Sequence, residues 1–237
     1  MVAILLMTYL VYAMFFMNHD ENKDLTCKVL RIEIIDTLDV HYLTENEIRN
    51  SLAQAGLLPI GQNLGKINLT AIEKKLKENQ FIRRVGSNKT IDGTVQIKIY
   101  PKMPLLRVFS TKGNYYIDTA GEKMPIPRNF TAYVPVASGF IEDDYAKKQL
   151  YEFALFLQQD KFWNSQIKQI YVGANGDVEL TPAVGDHQII LGKIENYKEN
   201  LGKLRLFYEK GLSKVGWNRY SVINLKYLNE VVCTKKE

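Results

Sequence analysis

Two Thr-x-x-Glu stretches, Thr44 to Glu47 and Thr70 to Glu73, place the strongest constraint on how the first hundred residues can fold. In such a box the threonine hydroxyl accepts from the amide three residues on, and the glutamate accepts from the threonine's own amide, so a helix begins there. Leu43 and Ile48 flank the first box as a hydrophobic staple and Gly56 lies where the element must stop. This predicts a helix over residues 45–55 with Ile48, Leu52 and Ala55 facing inward. The second box predicts a helix over residues 70–78 that buries Leu69, Ile72 and Leu76. Around this pair the apolar period falls to two. Leu30, Ile32 and Ile34 alternate with Arg31 and Glu33, and Val95, Ile97 and Ile99 alternate with Gln96 and Lys98. That period belongs to half-buried strands. With a further strand over residues 81–85 and a loop ending in Asp92-Gly93, the order is β-α-α-β-β.

Ahead of this unit, residues 1–17 carry no charged side chain. A helix of that length rises about 25 Å, slightly less than the roughly 30 Å hydrocarbon core of a bilayer. The run lacks the basic flank and the small-x-small cleavage site of a signal peptide. An uncleaved transmembrane anchor over residues 1–17 is therefore expected, with a polar linker over residues 18–27. No Lys or Arg precedes the run, so the positive-inside rule leaves orientation open, and a start further upstream is an alternative. The whole chain is 46% apolar with a formal charge of +5 from interspersed Lys, Arg, Asp and Glu, which suits buried cores under a mixed solvated surface rather than a nucleic-acid platform. Cys27 and Cys233 are expected as free thiols, and with no Cys-x-x-Cys or His-rich tract no structural zinc is expected.

The second half reads differently. Gly113-Asn-Tyr-Tyr-Ile-Asp-Thr-Ala-Gly-Glu-Lys-Met-Pro125 is a strand, a turn started by Asp118 and completed by Gly121, and a continuation toward proline. Tyr133-Val-Pro-Val-Ala-Ser-Gly139 predicts the next strand, and Leu150, Phe153, Ala154 and Leu157 mark an amphipathic helix over residues 144–159. Strands are expected over residues 167–172, 177–181 and 187–191, with Asn175-Gly176 as a type I′ hairpin turn. A helix over residues 194–210 and closing strands within residues 220–233 complete the chain.

The β-α-α-β-β order directly after an anchor resembles a POTRA domain, and the segments from Gly113 through Gly139 to the ending at Ile223-Asn-Leu-Lys-Tyr-Leu-Asn-Glu-Val-Val232 resemble the β-domain of the FtsQ/DivIB cell-division family. The resemblance implies an α+β chain in five parts. These are an anchor (1–17), a linker (18–27), a POTRA-like domain (28–104), a mixed β-domain with an antiparallel-rich sheet packed on helices (105–233) and a tail (234–237). Lys226 stands where the family more usually has arginine, which removes a bidentate guanidinium fork from that position.

Residues able to carry chemistry are sparse. His19, His41 and His187 are far apart in sequence, Glu142-Asp143-Asp144 precedes a predicted helix whose dipole favours negative charge, and no Gly-x-Ser-x-Gly, Walker or Gly-x-Gly-x-x-Gly run occurs. The expectation is a binding protein with no catalytic residue, metal or cofactor. The resemblance implies that the last strand of the β-domain receives the tail of an FtsB (DivIC)-like single-span protein, which comes with an FtsL-like one, and that the complex brings the septal wall synthase to the division site. Carried over by position, the partner-binding residues are Lys226, Tyr227, Leu228, Asn229, Glu230 and Val231, with Tyr227 central. Arg83 and Arg84 are candidates for a second surface. The family also implies an N-terminus inside and residues 18–237 outside the cytoplasmic membrane. The rival readings are an envelope transport chaperone and an anchored wall-processing enzyme.

Overall fold

The computed structural model describes residues 7–9, 12, 25–35, 42–228 and 230–236. They fall into two compact units, one within Met1–Pro101 and one within Lys102–Glu237. The anchor expected over residues 1–17 lies largely outside the described residues, of which Met7, Tyr9 and Tyr12 are helical and exposed. No helix among the described residues is long and apolar enough to cross a membrane.

In the first unit, β1 (Val29–Ile34), α1 (Glu45–Gln54), α2 (Leu69–Lys77), β2 (Ile82–Lys89) and β3 (Thr94–Pro101) follow the order read from the sequence. The sheet order is β1-β3-β2, with β3 parallel to β1 and antiparallel to β2. The core is the inward stripe of each element: Leu30, Ile48, Leu52, Ile72, Leu76, Val95, Ile97 and Ile99 are all buried. The expected linker ends earlier than residue 27. Leu25 O accepts from Leu64 N, Cys27 N donates to Gln62 O, and Cys27 is buried, so the chain has joined the fold by Leu25.

The first capping box forms as read, with Glu47 N donating to Thr44 Oγ1 at 3.2 Å and Thr44 N donating to Glu47 Oε2 at 2.9 Å. The second does not. Asn68 caps α2, its Oδ1 accepting from Ala71 N at 3.0 Å, and Thr70 sits inside the first turn. Asn is as good a cap as Thr, and the earlier start lets Glu73 reach β2, where its Oε1 accepts from Ser87 N at 2.9 Å and Ser87 Oγ at 2.8 Å. That anchor helps β2 run on through polar Gly86 to Lys89, beyond the expected residue 85.

The second unit is one sheet of nine strands in the order β12-β11-β10-β9-β8-β7-β4-β5-β6. Its strands are β4 (Pro104–Ser110), β5 (Gly113–Asp118), β6 (Lys123–Met124), β7 (Val136–Gly139), β8 (Ile167–Val172), β9 (Val178–Pro182), β10 (Gln188–Gly192), β11 (Tyr220–Asn224) and β12 (Val232–Lys235). β4, β7 and β8 run parallel, as do β10 and β11, and the other neighbouring pairs are antiparallel. Helices cover the sheet: α3 (Tyr151–Gln159), entered through a π-helical stretch Ala146–Leu150; α4 (Lys161–Gln166); and α5 (Tyr197–Phe207), which continues through a π-helical stretch Tyr208–Leu212. Phe153, Leu157, Leu201, Leu204 and Tyr208 bury against Ile170, Leu180, Ile189 and Ile223 in one core.

Asp118 builds the expected turn, its Oδ1 accepting from Ala120 N and Glu122 N, both at 2.9 Å, with Gly121 at φ 80°. The β8–β9 hairpin differs from the type I′ expectation. Gly176 N donates to Gly173 O and Gly173 N to Asp177 O, so the loop holds three residues with Gly176 left-handed at φ 75°, an arrangement that asks positive φ of the glycine rather than of both residues. The strand expected from Tyr133 begins only at Val136, because Pro135 has no amide to give the ladder, and Tyr133 stands 91% exposed.

Gly139 holds a left-handed φ of 104°, and a Cβ there would collide with the Val172 carbonyl oxygen. Gly139→Ala is expected to cost about 2 kcal/mol or more in urea unfolding of the second unit. Gly86→Ala, in open space within β2, should change first-unit stability by less than about 1 kcal/mol.

Candidate functional site

A nine-stranded open sheet has two ends. One is β6, only two residues long. The other is β12, and the features that hold it there are all encoded near the end of the chain. β11 places Ile223 in the core and Leu225 follows it inward, its amide donating to Ile190 O at 2.9 Å. The strand stops there because its next polar groups are already taken. Asn224 Oδ1 accepts from Lys226 N at 3.0 Å, and Lys203 Nζ on α5 donates to the carbonyls of Leu225 at 3.1 Å and Tyr227 at 2.9 Å.

Lys226 turns back toward the sheet. Its Nζ lies 2.8 Å from Asp177 Oδ2 in the β8–β9 turn, while Lys193 Nζ lies 3.3 Å from Oδ1 of the same carboxylate. The hydrogen bond from Lys226, with Lys193 helping, holds the Asp177 carboxyl below the usual carboxylate range, and Asp177 in turn raises Lys226. The Lys226 stem crosses Gly192 so closely that a Cβ on Gly192 would sit 2.8 Å from Lys226 Cγ.

The sequence reading placed Lys226 to Val231 along the edge of a strand. The structure makes that segment the connection between β11 and β12 instead. Tyr227 is 52% and Leu228 78% exposed, Glu230 is exposed, and Val231 is half-buried against the core; Asn229 lies outside the described residues. The edge itself is β12, paired antiparallel to β11 through Asn224 with Val232, Ile223 with Cys233, and Val222 with Thr234. Alternation along Ile223, Leu225 and Tyr227 mimics one continuous strand, and the grip of Asn224 and Lys203 on the backbone is what breaks it.

The direction of the β12 backbone groups follows from two bonds. Lys236 N donates to Arg219 O at 3.0 Å, and Thr234 O accepts from Ser221 Oγ at 3.4 Å, so Thr234 and Lys236 face β11. A residue's N–H and C=O point the same way in an antiparallel strand and alternate along it, which turns those of Cys233 and Lys235 outward. Cys233 keeps its thiol half-buried, and burial raises its pKa.

Behind the edge, His187 at the start of β10 is buried with Nε2 2.7 Å from the Tyr208 hydroxyl, and Tyr208 packs edge-on against Trp217 just before β11. Burial lowers the His187 pKa, against the Trp217 carbonyl and Asp186, which favour the charged form. His19 and His41 lie outside the described residues. Glu142 pairs with Lys112, and Asp143 with Lys123, so two of the three residues of the acidic triplet are engaged in ion pairs. Among the described residues no group of His, Cys, Asp or Glu is arranged to hold a metal ion. In the first unit, Arg83 and Arg84 lie exposed on edge strand β2, and the Arg84 guanidinium stacks 3.9 Å from the centre of the Tyr100 ring.

Residues 103–234 match the family described as FtsQ/DivIB, C-terminal related, and residues 25–100 match the POTRA-like domain. No curated protein matches the chain.

Two titrations test this site. Because Lys226 is the main cause of the low Asp177 pKa, Lys226→Gln should raise the carboxyl midpoint toward the ordinary value in a carbon-13 NMR titration. His187 is held neutral, so its contribution to stability is complete above about pH 6.5, the value of an unfolded histidine, and is lost as pH falls through its lowered native pKa. Urea unfolding at pH 7.5 and 5.5 should show wild type losing more stability than His187→Gln over that interval.

Proposed function

Because the chain belongs to the FtsQ/DivIB C-terminal related family over residues 103–234 and carries a POTRA-like domain over residues 25–100, we propose that it is a membrane-anchored division scaffold that works by binding alone. Residues 1–17 span the cytoplasmic membrane once with the N-terminus inside, and the two folded units lie outside it at the septum. There the second unit holds an FtsB (DivIC)-like protein together with its FtsL-like companion, and the assembly recruits or regulates the septal wall synthase.

The observation that carries this reading is the outward row of backbone groups on β12 beside exposed Tyr227 and Leu228. An unpaired edge is a template for another strand, and main-chain hydrogen bonds then supply affinity while neighbouring pockets and side chains supply selectivity. Tyr227 gives a large ring and a hydroxyl at low entropic cost, the kind of residue on which interface energy concentrates. Leu228 and Val232 extend the apolar surface, and Lys226, Glu230 and Val231 flank it. Cys233 and Lys235 join the expected set as backbone partners. Sequence reasoning missed them because outward backbone direction depends on the β11–β12 register and leaves no side-chain signature.

The full chain in detergent, titrated with the soluble extracytoplasmic part of the FtsB (DivIC)-like protein, tests the reading. Tyr227→Ala should weaken binding by about 2 kcal/mol. Cys233→Pro removes an outward N–H that the internal ladder does not use, so the variant should keep its near-ultraviolet circular dichroism yet bind at least about tenfold more weakly. Cys233→Ala retains the N–H and should bind within about twofold of wild type. Equal binding by Cys233→Pro and wild type would contradict strand addition at β12.

A further inference from the structure

The two ends of the β12 edge differ in chemistry. At the Val232 end the surface is apolar, with Tyr227, Leu228 and Val232 exposed, and the neighbouring cations are already engaged. Lys226 and Lys193 share Asp177, and Lys203 is bonded to two backbone carbonyls. At the Lys235 end the cations are not balanced. Arg219, Lys235 and Lys236 border an open depression of about 430 Å³ with Asn218 and Val215. Lys236 meets Asp186 at 3.1 Å, both side chains being largely exposed, while Arg219 and Lys235 have no carboxylate within ion-pair distance among the described residues. Three cations facing one carboxylate repel one another, and that repulsion is relieved by any anion placed between them.

We propose that the strand completing β12 is polarised, with apolar residues opposite Val232 and Tyr227 and one or more carboxylates seated in the Arg219–Lys235–Lys236 depression. The proposal rests on strand addition at β12. A polypeptide fits this charge better than a diffuse anionic surface because the depression borders a residue, Lys235, whose own N–H and C=O point outward to pair. A strand hydrogen-bonded there delivers the side chain of its next residue into the depression without further ordering. The carboxylates also give direction: a strand docked the other way round would set apolar side chains among cations and acids against Tyr227 and Leu228. Complementarity of this kind fixes register and raises the association rate more than it raises affinity.

The experiment uses the full chain in neutral detergent and the same soluble partner fragment, at about 50 and about 300 mM salt, where screening lengths differ by more than twofold. The variants are Arg219→Gln with Lys235→Gln, Lys74→Gln with Lys77→Gln as a control of equal charge on α2, and Cys233→Pro. The proposal expects the first pair to bind about fivefold more weakly at low salt, with a flattened salt dependence, and the α2 control to match wild type. If the first pair matches wild type at both salts while Cys233→Pro loses binding, strand addition stands and the acidic seat is wrong. If Cys233→Pro or an unbound wild type shows that strand addition fails, the proposal fails with it. Loss of binding to phosphatidylglycerol vesicles by the first pair, with partner affinity unchanged, would assign these cations to a membrane surface and overturn the proposal.

Discussion

The pairing of β12 on β11 is the interaction on which the proposed binding surface depends. A strand of four residues at the end of a sheet has little backbone bonding of its own and is held by what surrounds it. Val231 and Cys233 sink partly into the core, Ile223 and Leu225 fix the strand beneath, and Lys203 clasps the carbonyls of the connection between them. With those contacts in place, the hairpin presents Tyr227 and Leu228 at its bend and the outward groups of Cys233 and Lys235 along its side. Without them the edge would move inward to β11, and Tyr227 would lose its fixed position.

The layer behind the hairpin explains how a parallel pair, β10 with β11, can lie next to the antiparallel pair that ends the sheet. β10 and β11 run parallel, so the chain must cross the sheet between them, and it does so through α5 and the turns that follow. Tyr208, at the end of that crossing, packs among Phe162, Trp163, His187 and Trp217. This aromatic cluster joins α4, the entry to β10 and the entry to β11, and burial within it lowers the pKa of His187. Asp177 performs the corresponding task at the other end of the connection, linking the β8–β9 turn to Lys226.

Much of this was legible in the sequence where local rules act alone. The Thr44 box, the Asp118 turn and the period-two strands of the first unit each rest on contacts within a few residues. The sequence misled where a distant partner decides. Glu73 looked like a capping residue for Thr70 but bonds Ser87, fourteen positions away on another strand. β4 escaped notice because its Pro-Leu-Leu-Arg-Val-Phe run lacks a clean period of two, with Leu105 and Leu106 both buried and Phe109 59% exposed. α4 is a short helix whose start depends on Asp160, which also pairs with Arg205 on α5. The candidate site shows the same division. Tyr227 and its neighbours entered the expected set by position alone, whereas the break after Leu225 depends on Lys203, more than twenty residues earlier.

The central claim is that β12 offers its outer backbone face to a strand from another chain. Residue-resolved hydrogen exchange of the full chain, with and without the partner fragment, tests this most directly, because each amide reports its own hydrogen bond. In the free protein the amides of Thr234 and Lys236, bonded toward β11, should exchange more slowly than those of Cys233 and Lys235. Partner binding should slow Cys233 and Lys235 and leave the other two nearly unchanged. Protection that appears instead on β2 of the first unit, or binding with no change at Cys233 and Lys235, would contradict the account.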